Sequence, residues 1–354
     1  MTEIVESGEA SDSRITDVLV VIPTLHNVDR VLAIVSVMSQ CKCSLWFIIV
    51  DNGAAANSTD WPQNVEVIID NIPTGSTGFL KGMQRFSGSA RWVLFLDDDA
   101  GVDLLNLQRL IEIADQTSAS LASAIGLGPS TNGRGAGWAN VSRFSLCRFS
   151  SESKSFGVSS HESSLVAIDL LPWSGLLLPL NLLRNVSGES LEKLESMFFS
   201  WDDYLFCHIL RRDYDLTLFG VRECEITNVT KDFVKSNAWR SFYFVRNGML
   251  FCSETGSSVW SWSIYLWLGV LVSTFRSRSP SIRVLLLAWQ GWWSWARWRF
   301  DNTAYLLPSV SAERRCGICG SPLYFWRLFD RVGDARNDRV ALLRCSSCKK
   351  IVCL

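Results

Sequence analysis

The stretch RWVLFLDDDAG, Arg91 to Gly101, runs five apolar residues straight into three adjacent aspartates. Trp92–Leu96 has the length and the β-branched and aromatic content of a buried strand. Adjacent carboxylates repel one another, so their placement at a strand end needs something positive to offset the cost. A bound divalent cation, a neighbouring Arg or a helix N-terminus would each serve. A fold for this chain must therefore end a buried strand at a place that tolerates concentrated negative charge.

Other segments fix what surrounds that strand. Val18–Ile22 reads as a buried strand closed by Pro23, and Val31–Met38 carries helical spacing. Leu45–Val50 is a second strand, ended by Asp51-Asn52-Gly53, and Val65–Ile69 a third. The Gly-rich NIPTGSTGFLKG and a short helical stretch then lead to the strand before Asp97–Asp99. Strands alternating with helices predict an α/β fold with a mostly parallel sheet, whose ligands sit at the carboxyl ends of the strands. Asp51 and the aspartate trio would share that edge. Residues 130–165 are rich in Ser and Gly and read as loops and antiparallel strands; IDLLPWSGLLLP restores an apolar pattern; FFSWDDYLFCHILRR reads as a loop and a helix.

An apolar content of 48% over 354 residues allows one or two sizeable cores and excludes disorder for most of the chain. The net charge of -1 gives no global attraction to nucleic acid, which is not expected as a partner. The start, MTEIVESGEASDSRITD, lacks the basic and apolar parts of a secretory signal, so a cytoplasmic protein with a flexible head over residues 1–16 is expected.

Eleven cysteines include CGIC, CSSC and Cys353 near the C-terminus, a metal pattern rather than a disulfide framework. Cys316 and Cys319 are separated from Cys345 and Cys348 by 25 residues, which suits two knuckles gripping one Zn²⁺ tetrahedrally. The intervening PLYFWRLF and RVALLRC can form a small sheet, giving a structural zinc ribbon over 312–354. Such a module would stabilise the C-terminus or hold a protein partner; a redox role for the two pairs is the alternative.

Between Ser257 and Phe300 lie half of the 16 Trp residues, with Arg276, Arg278, Arg283, Arg297 and Arg299. Ser257–Phe275 carries no charge and is long enough to span a bilayer, but its Ser and Trp content makes it only marginally apolar. Trp beside Arg suits the headgroup layer. Amphipathic helices over 254–311, lying on the inner membrane surface, are expected; a helical subdomain buried within the protein is the other reading.

In order along the chain, VVIPTLHN, IIVDNGAAANS, NIPTGSTGFLKGM, FLDDDAG, PWSGLLLP, FFSWDDYLF and WRSFYFVRNG resemble glycosyltransferase family 2, enzymes with the GT-A nucleotide-sugar-binding fold. The resemblance covers roughly residues 17–250, and a domain over 17–253 is expected. It implies an inverting transferase that moves a sugar from a nucleotide-sugar donor to a lipid-linked cell-surface glycan. Galactofuranose from a UDP donor, or rhamnose from a dTDP donor, is the sugar that the resemblance implies. On physical grounds, departure of a nucleoside diphosphate loads its phosphates with negative charge, which a divalent cation neutralises. Mn²⁺ or Mg²⁺ prefers carboxylate oxygens and retains waters, so one or two aspartates with the diphosphate suffice. Asp97 and Asp99, two apart on an extended segment, would point to one side.

By the resemblance, Asp97 and Asp99 clamp the metal and Asp98 contacts the sugar or ribose. The donor side would also include Thr24, Asp51 at the base, Asn71, Gly75 and Gly78. Asp203 would be the general base with Asp202 beside it in acceptor binding, and Trp173, Trp201 and Arg246 would line the acceptor side. Each has a plainer reading: Asp97–Asp99 as a solvated turn, Asp51 as an ordinary Asp-Asn-Gly turn, Asp202 or Asp203 as a helix cap, Trp173 as a core aromatic, Arg246 as a structural ion pair. The sequence departs from the family at one point. A His some twenty residues after the acidic pair usually adds a metal ligand, whereas this chain has only His26, His161 and His208. GVRECEITNVTKD offers Glu225, Asn228 or Asp232 instead. A non-catalytic membrane-surface scaffold that keeps the fold is the alternative function.

Overall fold

The computed structural model describes residues 15–24, 27–52, 59–69, 77–121, 124–131, 165–197, 201–228, 239–276, 282–301, 323–330, 339–345 and 351–353. Of the expected head over 1–16, residues 1–14 lie outside the described residues, as does the segment 132–164, whereas Ile15 and Thr16 already belong to the first strand. The chain divides into two compact units, the first built from residues 1–142, 148–195 and 203–231, the second from residues 143–147, 196–202 and 232–354.

The first unit is α/β, as the alternation of patterns predicts. Strands β1 (Ile15–Thr24), β2 (Leu45–Asp51), β3 (Val65–Ile69) and β4 (Ser89–Phe95) form its parallel half in the order β3-β2-β1-β4. Val18–Ile22 and Phe47–Val50 are wholly buried, the continuous apolar runs of strands covered on both faces. Helix α1 (Val28–Met38) buries Val28, Val31, Ile34, Val35 and Met38, its i, i+3, i+7 face. Helix α2 (Thr77–Arg85) packs on β1 and β2, and its Gly82 lies against Val21. Because β2 and β4 flank β1 on opposite sides, the direction of winding reverses between β1 and β4. That reversal leaves a crevice at the strands' carboxyl ends.

The other half of the sheet is mixed. After β5 (Ala100–Val102), α3 (Leu104–Leu121) and β6 (Ile125–Thr131) come β7 (Leu165–Ile168) and β8 (Leu177–Pro179). Short helices α4 (Leu180–Leu183) and α5 (Gly188–Ser196) precede α6 (Asp202–Tyr214) and the long strand β9 (Thr217–Asn228). The order continues from β4 through β8, β6 and β9 to β5, and β7 also pairs with β9. β8 runs antiparallel to β4 and β6, whereas β6 and β9 are parallel.

This order forces the sheet to curl. Four strand spacings separate β4 from β5, roughly 19 Å across a flat sheet. The chain covers that step between Phe95 and Ala100, and Ala100 N–H donates to Asp97 C=O at 3.1 Å, closing a turn. A turn is under ~7 Å across and two further residues add ~7 Å, so the reach is about 14 Å. A register shift in the β6/β9 ladder, where Pro129 pairs with Val221 but Ser130 with Glu225, supplies the bend. It swings the last residues of β9 back to β5.

In the second unit α7 (Trp239–Thr255), α8 (Val259–Arg276) and α9 (Ile282–Asp301) pack together, α9 mainly on α7. The expected boundary near residue 253 falls at the end of α7, which groups with α8 and α9 because it buries its apolar side against them. Among the described residues no helix is long and apolar enough to cross a membrane. Strands β10 (Leu323–Asp330), β11 (Arg339–Cys345) and β12 (Ile351–Cys353) form the small antiparallel sheet that the sequence between the cysteine pairs predicts. Cys345 closes β11 in register with Leu323. Cys316, Cys319 and Cys348 lie outside the described residues.

Candidate active site

Three strand ends converge at the reversal. Thr24 closes β1 in register with Asp51 on β2, and Asn52 N–H donates to Thr24 C=O at 2.8 Å. On the other side, Leu96 N–H donates to Val21 C=O at 3.1 Å, holding the approach to the aspartates on β1. Asp98 is then fastened across the crevice. Its Oδ2 accepts from Thr24 Oγ1 at 2.8 Å and from Asn27 Nδ2 at 3.0 Å, while Thr24 Oγ1 accepts from Asn27 N–H at 3.3 Å. Bonds to an ionised carboxylate are roughly twice as strong as neutral ones, so the trio is fixed at its middle member.

Asp97–Ala100 is a hydrogen-bonded turn, not the extended segment expected from the sequence, so simple alternation does not place Asp97 and Asp99 on one side. The turn follows from the short step to β5. Asp97 and Asp99 are half-buried. Their donor set is hard oxygen only, which suits Mg²⁺ or Mn²⁺ if diphosphate oxygens and water complete the shell. Among the described residues no group of three or more His, Cys, Asp or Glu side chains is arranged to hold a metal ion by itself.

Asp51 is fully buried, unlike the carboxylate of a surface turn. Gly78 is buried in the first turn of α2. Asn71 and Gly75 lie outside the described residues.

An aromatic cluster ties the aspartate strand to the second acidic segment. Trp173 stacks on Phe206 of α6 at 4.4 Å and on Phe79 of α2 at 5.0 Å, and meets Phe95 of β4 edge-on at 5.2 Å. Phe95 lies two residues before Asp97, and Phe206 three after Asp203. The Trp173–Leu176 turn is pinned to β4: Gly175 N–H donates to Phe95 C=O at 2.7 Å, and Phe95 N–H donates to Leu176 C=O at 3.0 Å. Gly175 has φ of 87°, and a Cβ there would press on Ile226 and Pro129 at 2.5 Å, so only glycine fits. Trp173 is buried, which is the core reading of this residue; a sugar stacking on it would need part of this packing removed.

Asp202 and Asp203 open α6, where the helix N-terminus favours negative charge. Asp202 is buried, whereas Asp203 is half-buried and its Oδ1 accepts from Tyr204 N–H at 2.8 Å. His208 lies on the same helix, as its spacing predicts. One turn from Asp203, burial pushes the Cys207 thiol up to about 12, and its Sγ faces the backbone of Leu171.

The stretch expected to replace the missing His forms the end of β9. Backbone register sets Asn228 opposite Ala100, the residue after Asp99, and Thr227 opposite Gly101. Glu225 is exposed, and Asp232 lies outside the described residues.

The remaining acceptor-side candidates lie in the second unit. Trp201, at a φ of 69°, is buried there; it stacks on Phe251 at 5.8 Å, meets Trp262 edge-on, and its Nε1 donates to Phe244 C=O at 3.0 Å. Its ring is part of an aromatic core, so the exposed sugar platform expected from the sequence is absent. Arg246 of α7 is also buried, donates to Asn247 Oδ1 at 3.2 Å and lies 5.9 Å from the Tyr243 ring centre.

Sequence reasoning passed over Asn27 and Phe206. Asn27 stands three residues after Thr24 in VVIPTLHN, and both donate to the one carboxylate of Asp98. Phe206 carried no signal beyond its apolar helical position. No family model matches this chain, and no curated protein does.

Proposed function

We propose that the chain is a metal-dependent inverting glycosyltransferase, acting from a nucleotide-sugar donor on a lipid-linked cell-surface glycan at the cytoplasmic membrane face. The observation that supports it most is the Phe95–Trp173–Phe206 cluster, which packs β4, the strand that leads into Asp97–Asp99, against α6, the helix that opens on Asp202-Asp203, beside a topological reversal. Parallel sheets bind nucleotides at such reversals.

On this reading Asp203 accepts the proton of the acceptor hydroxyl. The freed oxygen attacks the anomeric carbon, the bond from that carbon to the diphosphate oxygen breaks, and the configuration inverts. A divalent ion bound by Asp97 and Asp99 would offset the charge gathering on the diphosphate. Thr24 and Asn27 hold Asp98 toward the donor sugar or ribose, and Asp51 takes the base. Glu225, Asn228 and Asp232 remain the sequence candidates for a further oxygen ligand in place of the missing His. Galactofuranose is the favoured sugar, with rhamnose next, through the resemblance of the Trp-Asp-Asp segment.

The test is turnover of purified protein with a panel of sugar nucleotides, Mn²⁺ and a synthetic lipid acceptor. A product with inverted configuration is expected; silence with every donor overturns the reading. UDP with Mn²⁺ should raise the melting temperature, and Asp99→Ala should abolish the rise. A scaffold that merely keeps the fold would show neither effect.

A further inference from the structure

We propose that the outward face shared by α8 and α9 docks the protein flat on an anionic lipid bilayer. On α8, Trp260, Ile264, Leu268 and Val272 recur every fourth residue and are 46% to 80% exposed, while Trp262, Leu266, Val270 and Thr274 are buried. On α9, Trp289 and Trp293 are 53% and 44% exposed, and Val284, Ala288 and Trp295 are buried. Both helices thus carry an apolar row on the side away from their core. The rows belong to one surface: Trp267 of α8 meets Trp289 of α9 at 6.4 Å, and Trp292 Nε1 donates to Ser263 Oγ across the same seam at 3.2 Å.

Isolated exposed apolar residues are ordinary; two adjacent rows containing three Trp side chains form a patch that marks an interaction surface.

Charge selects the occupant. Along α8 and α9 the sequence places Asp301, at the end of α9, as the single carboxylate, against Arg276, Arg283, Arg297 and Arg299, with Arg278 between the helices. Arg276 ends α8, Arg283 lies in the first turn of α9, and Arg297 and Arg299 in its last turns. Apolar rows on helices whose end turns are rich in arginine match a bilayer interface, where aromatic rings favour the headgroup level and arginine favours lipid phosphate. A second copy of the chain would bring the same arginine-rich sequence, with few carboxylates to pair with it, and is disfavoured by like charge. Since no described helix can span a membrane, the helices lie along the surface.

This inference does not depend on the proposed reaction, because binding is measured without donor or acceptor. The full chain would be floated with vesicles of phosphatidylcholine alone and with vesicles containing phosphatidylglycerol. Binding to the anionic vesicles is expected, falling at high salt. Leu268→Asp and Trp293→Asp should each weaken it about tenfold or more with the melting temperature held. Should either variant fail to fold, quenching of the wild-type Trp fluorescence by brominated anionic lipid gives a second measurement, and quenching is expected. Absence of both flotation and quenching overturns the proposal. So does a dimer in sedimentation that Leu268→Asp dissociates, since a second copy would then cover the face.

Discussion

Thr24 Oγ1 and Asp98 Oδ2 are 2.8 Å apart, a contact between residues 74 positions distant that closes the crevice between β1 and β4. The hydroxyl both receives from Asn27 N–H and gives to the carboxylate, so it links the end of β1, the start of α1 and the turn after β4.

Thr24→Val keeps the shape and deletes the donor. A hydrogen bond to a charged group contributes ~1.5–3 kcal/mol, so urea denaturation should show a loss in that range. Donor affinity should fall as well, because Asp98 loses its anchor. Thr24→Ser should restore most of both. A loss of stability with unchanged donor affinity would confine Thr24 to a folding role.

Asp203→Asn keeps size and removes the capacity to accept a proton. Turnover should fall by ~10²-fold or more, the scale of general base catalysis, with donor affinity nearly unchanged by calorimetry. Loss of both together would assign Asp203 to the structure of the α6 N-terminus.

Gly291→Ala tests the seat of α9. Alanine gains about 1 kcal/mol in helix propensity over glycine. Its Cβ, however, would collide with the Phe242 carbonyl oxygen and lie 3.1 Å from the carbonyl carbon. Backbone cannot rotate aside as a side chain can, so overpacking of ~1–3 kcal/mol should outweigh the gain. Thermal denaturation should show net destabilisation.

Cys207 gives a pH dependence with a definite sign. Burial raises its thiol from 9.0 to about 12. The folded state therefore keeps this proton where the unfolded chain loses it. Its contribution is complete below pH 9 and declines as pH rises toward 12, by at most ~1.4 kcal/mol per pH unit. Urea melts should show the decline, and Cys207→Ala should flatten it. Peptide mapping after alkylation at pH 8 should find Cys207 unmodified in the folded protein.

Strands β1, β2 and β4 were legible in the sequence because each is buried on both faces and so reads as an unbroken apolar run. β8 was not: Leu177–Pro179 sits inside a longer apolar stretch, and only pairing with β4 and β6 sets its limits. The turn at Asp97–Ala100 escaped for a similar reason, since it comes from the pairing of β5 with β9 rather than from local preference. The sequence singled out the two acidic segments as candidates, but that β4 and α6 pack together rests on Trp173 against Phe206, residues 33 positions apart in the numbering. Trp173 and Trp201 show where the reading stops, because an aromatic at a site and one in a core look alike until its neighbours are known.

The curl of the sheet has one last consequence. A step that wide, made in so few residues, leaves no slack, so the spacing of Asp97, Asp98 and Asp99 is inherited from the curvature of the strands on either side. A single residue inserted between Leu96 and Ala100 would spoil the geometry though every carboxylate survived. Many exchanges at the distant end of β9 would instead retune the spot without touching an acidic side chain.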